Sequence, residues 1–193
     1  MSYRMPLFPL QTVVFPGGLL PLRVFVPRYM EMVTQAIAEQ IPFGICAIRE
    51  GREVDRGVAP YAVGTRVQVI DWEMPQTGIL HIQTRALERF VIRKTTSESN
   101  GLLVGEVDDV NAEPVLAVPD ELVLCAEILQ QIVEDMGAEK FAQPHDFHNA
   151  VWVGYRLSEV LPLKLSVRQN LLEMNDSRAR LEILVEFLKK QIN

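Results

Sequence analysis

The chain has 193 residues, 48% of them hydrophobic and 23% charged, an ordinary soluble composition with enough apolar side chains for a real core. Its net charge of −6 argues against a nucleic-acid groove, which needs clustered Lys and Arg, and no basic run is longer than two residues, as at Lys189-Lys190. No basic segment leads into an uninterrupted apolar stretch, so neither a signal peptide nor a membrane span is expected, and the cytoplasm is the expected compartment.

The segment from Met5 to Tyr29 carries Pro6, Pro9, Pro16, Pro21 and Pro27. Each removes a backbone donor and biases its predecessor toward extended geometry, which excludes a helix through most of the run. Short extended pieces remain, with Val13-Val14-Phe15 and Val24-Phe25-Val26 as the strongest strand formers and Pro16-Gly17-Gly18 as a turn between them. Such a run suits the lip of a small barrel, where edge strands tolerate proline. A helix is expected to start at Pro27, with Met30, Val33 and Ile37 as its apolar stripe, and to stop at Pro42.

Residues 43–48 form a short apolar strand. Residues 63–71 alternate, with Val63, Thr65, Val67 and Val69 on one face. After a polar turn at Pro75-Gln76-Thr77-Gly78, Leu80, Ile82 and Thr84 face one way and His81, Gln83 and Arg85 the other. Phe90-Val91-Ile92 and residues 102–107 complete a set of about six strands, which points to a closed or nearly closed antiparallel barrel.

From about residue 114 the pattern turns helical. Asp120 is expected to cap a helix with Leu122, Cys125, Ala126, Leu129, Val133 and Met136 inward, ended by Gly137. Asp146 is expected to cap a second, with Phe147, Ala150, Val151, Gly154, Leu157 and Leu161 on one face. Ser166 and Gln169 read as a capping box for a third, carrying Leu171 and Leu172. Asp176 caps a fourth, with Leu181, Leu184, Val185, Leu188 and Ile192 as its stripe. The expected organisation is a β-barrel with one inserted helix at 1–113 and a four-helix subdomain packed on it at 114–193, an α+β chain.

Catalytic signatures are scarce. There is no P-loop, no Gly-x-Ser-x-Gly elbow and no His-Glu-x-x-His. Ser158, Ser166 and Ser177 fall at helix positions, and Ser97 and Ser99 in a polar hairpin tip. His145, Asp146 and His148 are the densest group of ligand-type side chains, but structural zinc takes four ligands and no cysteine is near in sequence. Asp146 therefore reads as a cap and both histidines as surface residues. His81 is expected on a solvent face. Cys46 and Cys125 sit among apolar neighbours and read as buried free thiols, although a disulfide stays open. No catalytic residue, metal ligand or cofactor is assigned.

Several stretches in combination resemble the LON domain, the N-terminal substrate-binding region of Lon-type ATP-dependent proteases, also found as a standalone protein in bacteria. They are Pro6-Leu7-Phe8-Pro9-Leu10, Val14-Phe15-Pro16-Gly17-Gly18, Leu20-Pro21-Leu22-Arg23-Val24-Phe25 and Pro27-Arg28-Tyr29. Phe43-Gly44-Ile45, Val63-Gly64-Thr65 and Glu88-Arg89-Phe90-Val91-Ile92 continue it, and Leu161-Pro162-Leu163, Arg168-Gln169, Leu171-Leu172-Glu173 and Arg180-Leu181 extend it toward the C-terminus. Three positions depart from the family pattern. Val26 stands where standalone members usually have an acidic residue, which leaves Arg28 without a local partner; Ala86 replaces a common glycine and Arg168 a usual lysine.

The resemblance implies a PUA-like antiparallel β-barrel followed by an α-helical bundle. It also implies recognition of unfolded or degradation-tagged polypeptides. The ATPase and Ser–Lys protease modules of the family would lie C-terminal to this region, and these 193 residues carry neither, so a non-enzymatic, adaptor-like role is expected. The expected polypeptide contacts are Arg23, Pro27, Arg28 and Tyr29. A barrel that binds a small molecule or RNA is the alternative, weakened for RNA by the acidic balance. Self-association is left open.

Overall fold

The fold is described from a computed structural model, which covers the backbone of residues 2–192 and the side chains of residues 2–191. The chain divides into two compact units, Met1–Asn111 and Ala112–Asn193.

The first unit holds six strands and one helix among the described residues: β1 (Tyr3–Leu10), β2 (Leu19–Val24), α1 (Pro27–Glu39), β3 (Phe43–Glu50), β4 (Ala59–Gln76), β5 (Ile79–Ser97) and β6 (Leu103–Asp109). The pairing order is β2-β5-β4-β3-β1-β6, and β6 also pairs with β5. Strands β5, β4, β3, β1 and β6 thus form a ring, with β2 appended to β5. The ring closes because β5 is long: Leu80 to Arg85 pair with β2, while Phe90 to Ser97 pair with β6. The sheet is mixed rather than wholly antiparallel. β1 and β3 run parallel, because the chain returns through β2 and α1 between them, as a parallel pair requires.

The prolines of the opening run are placed by sheet stagger. β6 pairs with Tyr3 to Leu7 of β1, and β3 with Leu7 to Leu10. Pro6 therefore borders β6 alone and Pro9 borders β3 alone, so each has a side where a missing N–H breaks no ladder bond. β1 is nonetheless interior, not an edge strand. Val13, Val14 and Phe15 are buried but form no strand. They lead into a tight turn closed by Gly18 N–H donating to Phe15 O at 3.0 Å, with Gly17 at φ 77°.

α1 begins at Pro27 as expected, but its buried face is Tyr29, Met32, Val33 and Ala36, one position round from the expected stripe; Met30 and Ile37 are only half-buried. It covers a core of Phe8, Leu10, Val24, Phe43, Ile45, Val67, Leu80 and Ile82.

Three short motifs far apart in sequence meet in a second core. The Phe90 ring lies against Gly44 and Gly64 on the neighbouring strands. A Cβ on Gly44 would stand 2.8 Å from Phe90 Cζ, and one on Gly64 would stand 2.6 Å from it and also collide with the Ile45 carbonyl oxygen. Glycine at both positions is therefore what lets this aromatic ring approach the two strands so closely.

The second unit holds α2 (Val123–Met136), α3 (Ala150–Val160), α4 (Leu165–Glu173) and α5 (Ser177–Ile192), with single 3₁₀ turns at Asp120–Leu122 and Ala138–Lys140. Leu129, Val133, Val153, Leu157, Leu171, Leu172, Leu181 and Leu184 form its interior. The expected Ile192 side chain lies outside the described residues. Three of four expected caps are not made. Asp120 belongs to the 3₁₀ turn, Asn149 rather than Asp146 caps α3 through Oδ1 and Val151 N–H at 3.0 Å, and α4 has no side-chain cap. Asp176 does cap α5, accepting from Ala179 N–H at 2.9 Å. Met136, expected inside, is exposed.

A buried ion pair ties this unit together. Arg180 Nη2 and Nη1 reach Glu113 Oε1 and Oε2 at 2.6 and 3.0 Å, and Tyr155 Oη donates to Glu113 Oε1 at 2.6 Å. Arg180 also donates to the Leu171 and Met174 carbonyls, so the buried charge is compensated on every side.

Candidate functional site

The surface of the first unit is concave on either side of β2. One groove, of about 280 Å³, is lined by Phe8, Leu10, Leu22, Phe25, Tyr29 and Val54, with Gln11, Arg23 and Glu53 also at its margin. A shallower depression of about 600 Å³ lies over Pro21, Arg23, Asp71, Trp72, Glu73 and His81. Arg23 borders both.

The sequence builds the groove in three steps. β2 ends at Val24, and Pro27 starts α1 three residues later, so Phe25 has no neighbour to cover it and is 57% exposed. Tyr29, in the first turn of α1, stacks on Phe8 of β1 with centroids 4.1 Å apart and forms the floor. The 51–57 loop supplies the far wall, where Val54 is 54% exposed.

That loop is held by Arg28. Its Nη2 donates to the carbonyls of Glu53, Val54 and Asp55 at 3.4, 3.3 and 2.9 Å, and its guanidinium lies 4.8 Å from the Tyr29 ring centre. The absent acid at position 26 is replaced by three backbone oxygens, so Arg28 does have partners, distant in sequence. The loop is further braced by Arg52 and Asp55, whose Nη2 and Oδ1 are 3.1 Å apart, and by Gln11 N–H donating to Glu53 Oε1 at 2.8 Å. The Arg52 hydrogen bonds hold the Asp55 carboxyl below the usual carboxylate range.

The four expected contact residues therefore play different parts. Arg23 is exposed on β2 between the two depressions. Pro27 is exposed at the helix start and does not line the groove. Arg28, only 9% exposed, positions the loop, and Tyr29, 3% exposed, lies in the floor of the groove. Phe25 and Val54 were not singled out. The signal for Phe25 was present, an aromatic residue stranded between a strand end and a helix-starting proline; Val54 had none.

The other candidates fall into structural settings. The His145 ring contacts Phe147 edge-on at 6.0 Å and lies 5.7 Å from Trp152, inside an aromatic cluster. Among the described residues no group of three or more His, Cys, Asp or Glu side chains could hold a metal ion. Ser158 Oγ donates to Gly154 O at 2.7 Å within α3. Both cysteines are free and buried, and burial pushes the thiols up to about 12 for Cys46 and about 11 for Cys125, far from a reactive thiolate. No helix among the described residues is long and apolar enough to cross a membrane.

The profile of the ATP-dependent protease La (LON) substrate-binding domain matches residues 4–190. This chain belongs to that family. It resembles the crystal structure of a Lon N-terminal domain protein from Xanthomonas campestris at 33% identity and a TM-score of 0.79, over 95% of this chain and 98% of that one. The N-terminal domain of a Mycobacterium avium complex Lon protease has the same fold at 18% identity, with a TM-score of 0.63, over 95% and 97% of the two chains. Among longer relatives, the Lon protease of Anaeromyxobacter dehalogenans is 24% identical over 97% of this chain, and Lon protease 2 of Myxococcus xanthus 23% identical over 97%. The chain spans about a quarter of their length, 23% and 24% respectively. The matched family is the substrate-binding domain; no ATPase or protease domain is matched.

Proposed function

We propose that this chain is a non-catalytic, adaptor-like polypeptide-binding domain of the cytoplasm that takes unfolded or tagged segments of other proteins in the groove beside β2. The observation that carries this reading is Phe25 and Val54, each more than half exposed, facing a floor of Phe8, Leu10, Leu22 and Tyr29. Apolar side chains left in water around a concave apolar floor are a mark of a binding surface. Membership in a substrate-binding family agrees with it. Cleavage and ATP hydrolysis are left to other proteins in this reading. The groove margin sets one arginine, Arg23, against one glutamate, Glu53, which favours polypeptide over the phosphate backbone of RNA.

Fluorescence titration with a reduced, chemically denatured model protein tests the reading. Phe25→Ser removes on the order of 100 Å² of contact area, and with part of that realised in binding, affinity falls about tenfold. Wild-type protein that fails to bind at high micromolar concentration rejects the polypeptide reading. Full affinity in the Phe25→Ser, Val54→Ser double variant rejects the groove.

A further inference from the structure

Resting on that reading, we infer that the polypeptide is held as an added β-strand along the free edge of β2, and that the segment favoured there is extended, apolar and uncharged. Among the described residues β2 pairs with β5 alone and ends the sheet order.

The register shows which backbone groups are available. Ala86 N–H donates to Gly18 O at 2.8 Å, and the pairs Leu20↔Thr84, Leu22↔Ile82 and Val24↔Leu80 follow by twos. Leu20, Leu22 and Val24 therefore aim their N–H and C=O groups at β5, while Leu19 and Arg23 aim theirs away from it and Pro21 its carbonyl alone. Pro21 sits at an outward position, where its missing N–H costs β2 nothing. The outward groups of Pro21 and Arg23 border the groove whose far wall is Gln11, Glu53 and Val54. An extended segment in that space pairs its backbone with β2. Every second side chain then meets the apolar floor.

Charge around this edge selects the occupant. Asp71 and Glu73 belong to β4, on the far side of β5 from this edge, while the groove along the edge carries one cation, Arg23, and one acid, Glu53. His81 Nδ1 lies 3.4 Å from Glu73 Oε1, so one of these acids already faces a histidine. The groove is thus balanced in charge and apolar on its floor, and an uncharged apolar strand complements it.

The probe is a fluorescein-labelled decapeptide of alternating valine and serine with lysine at each end, together with a series in which each backbone nitrogen in turn is methylated. Strand addition predicts a period of two. Methylation at alternate positions weakens binding about tenfold per blocked bond, while the positions between tolerate it. The Arg23 amide exchanges more slowly in the complex, and the Leu22 amide, already directed at β5, does not change. Binding that is indifferent to methylation at every position overturns strand addition and leaves the groove reading standing. Failure of the unmethylated peptide and of denatured protein alike overturns both. Replacing the terminal lysines with glutamates leaves binding within about twofold, and a larger change in either direction overturns the assignment of an uncharged occupant.

Discussion

Replacing Arg28 with methionine separates positioning from contact. Of the three carbonyls that Arg28 Nη2 reaches, Asp55 at 2.9 Å is at ordinary bond length and Val54 and Glu53, at 3.3 and 3.4 Å, are long. A hydrogen bond from a charged donor contributes about 1.5–3 kcal/mol, and long bonds add little, so the clamp stabilises the closed loop by about 2 kcal/mol. Methionine keeps most of the apolar stem that packs beside Tyr29 and deletes only the donor. The loop then opens about 30-fold more often. The Gln11 amide reports it directly, because its acceptor, Glu53 Oε1, belongs to the released loop. Hydrogen exchange at Gln11 should therefore accelerate by that factor. Global stability in urea should fall by no more than the same ~2 kcal/mol, and affinity for denatured protein should drop as Val54 leaves the groove. Unchanged exchange at Gln11 with lost affinity would refute this reasoning, since Arg28 would then be touching the polypeptide itself.

Two further substitutions probe the supporting fold. Gly64→Ala should be more destabilising than Gly44→Ala, because a Cβ at position 64 meets the fixed Ile45 carbonyl whereas one at 44 meets only the side-chain tips of Leu7, Met5 and Phe90. Overpacking of this kind costs about 1–3 kcal/mol, and the reverse order in urea melts would show that the sheet, not the ring, gives way. Glu113→Ala should cost about 3–5 kcal/mol by leaving the fully buried Arg180 uncompensated, with part recovered in Glu113→Ala, Arg180→Met. Helical circular dichroism during urea unfolding measures it, and a single-variant loss below ~1 kcal/mol counts against a structural role for the pair.

The order of elements was largely legible from local pattern. Proline spacing excluded an N-terminal helix, period-two alternation marked β4 and β5, and the apolar stripes marked α2 to α5. The motifs that pointed to the family were in the sequence as well, but their meaning was not. Gly44, Gly64 and Phe90 are far apart along the chain and become one packing unit only when β3, β4 and β5 align. Asp120, Asp146 and Ser166 do not make the caps their sequence positions suggest, because a capping residue competes with 3₁₀ turns and neighbouring polar groups, and only the local backbone decides.

The candidate site divides along the same line. The residues Arg23 to Tyr29 stood out by sequence because prolines and an Arg-Tyr pair are local chemistry. Their roles depended on what the chain brings back to them. Arg28 has no acidic residue next to it in the chain, and its acceptors are backbone carbonyls of 53–55, invisible to residue type. Phe25 and Tyr29 are both aromatic and four residues apart, yet one is exposed and the other buried. Sequence alone determined the family, the secondary-structure order and the absence of recognisable catalytic motifs in these 193 residues, because those properties are written in residue type and short spacing. Tertiary structure decided which strand keeps a free edge and which apolar side chains stay in water, because both depend on contacts made across long loops.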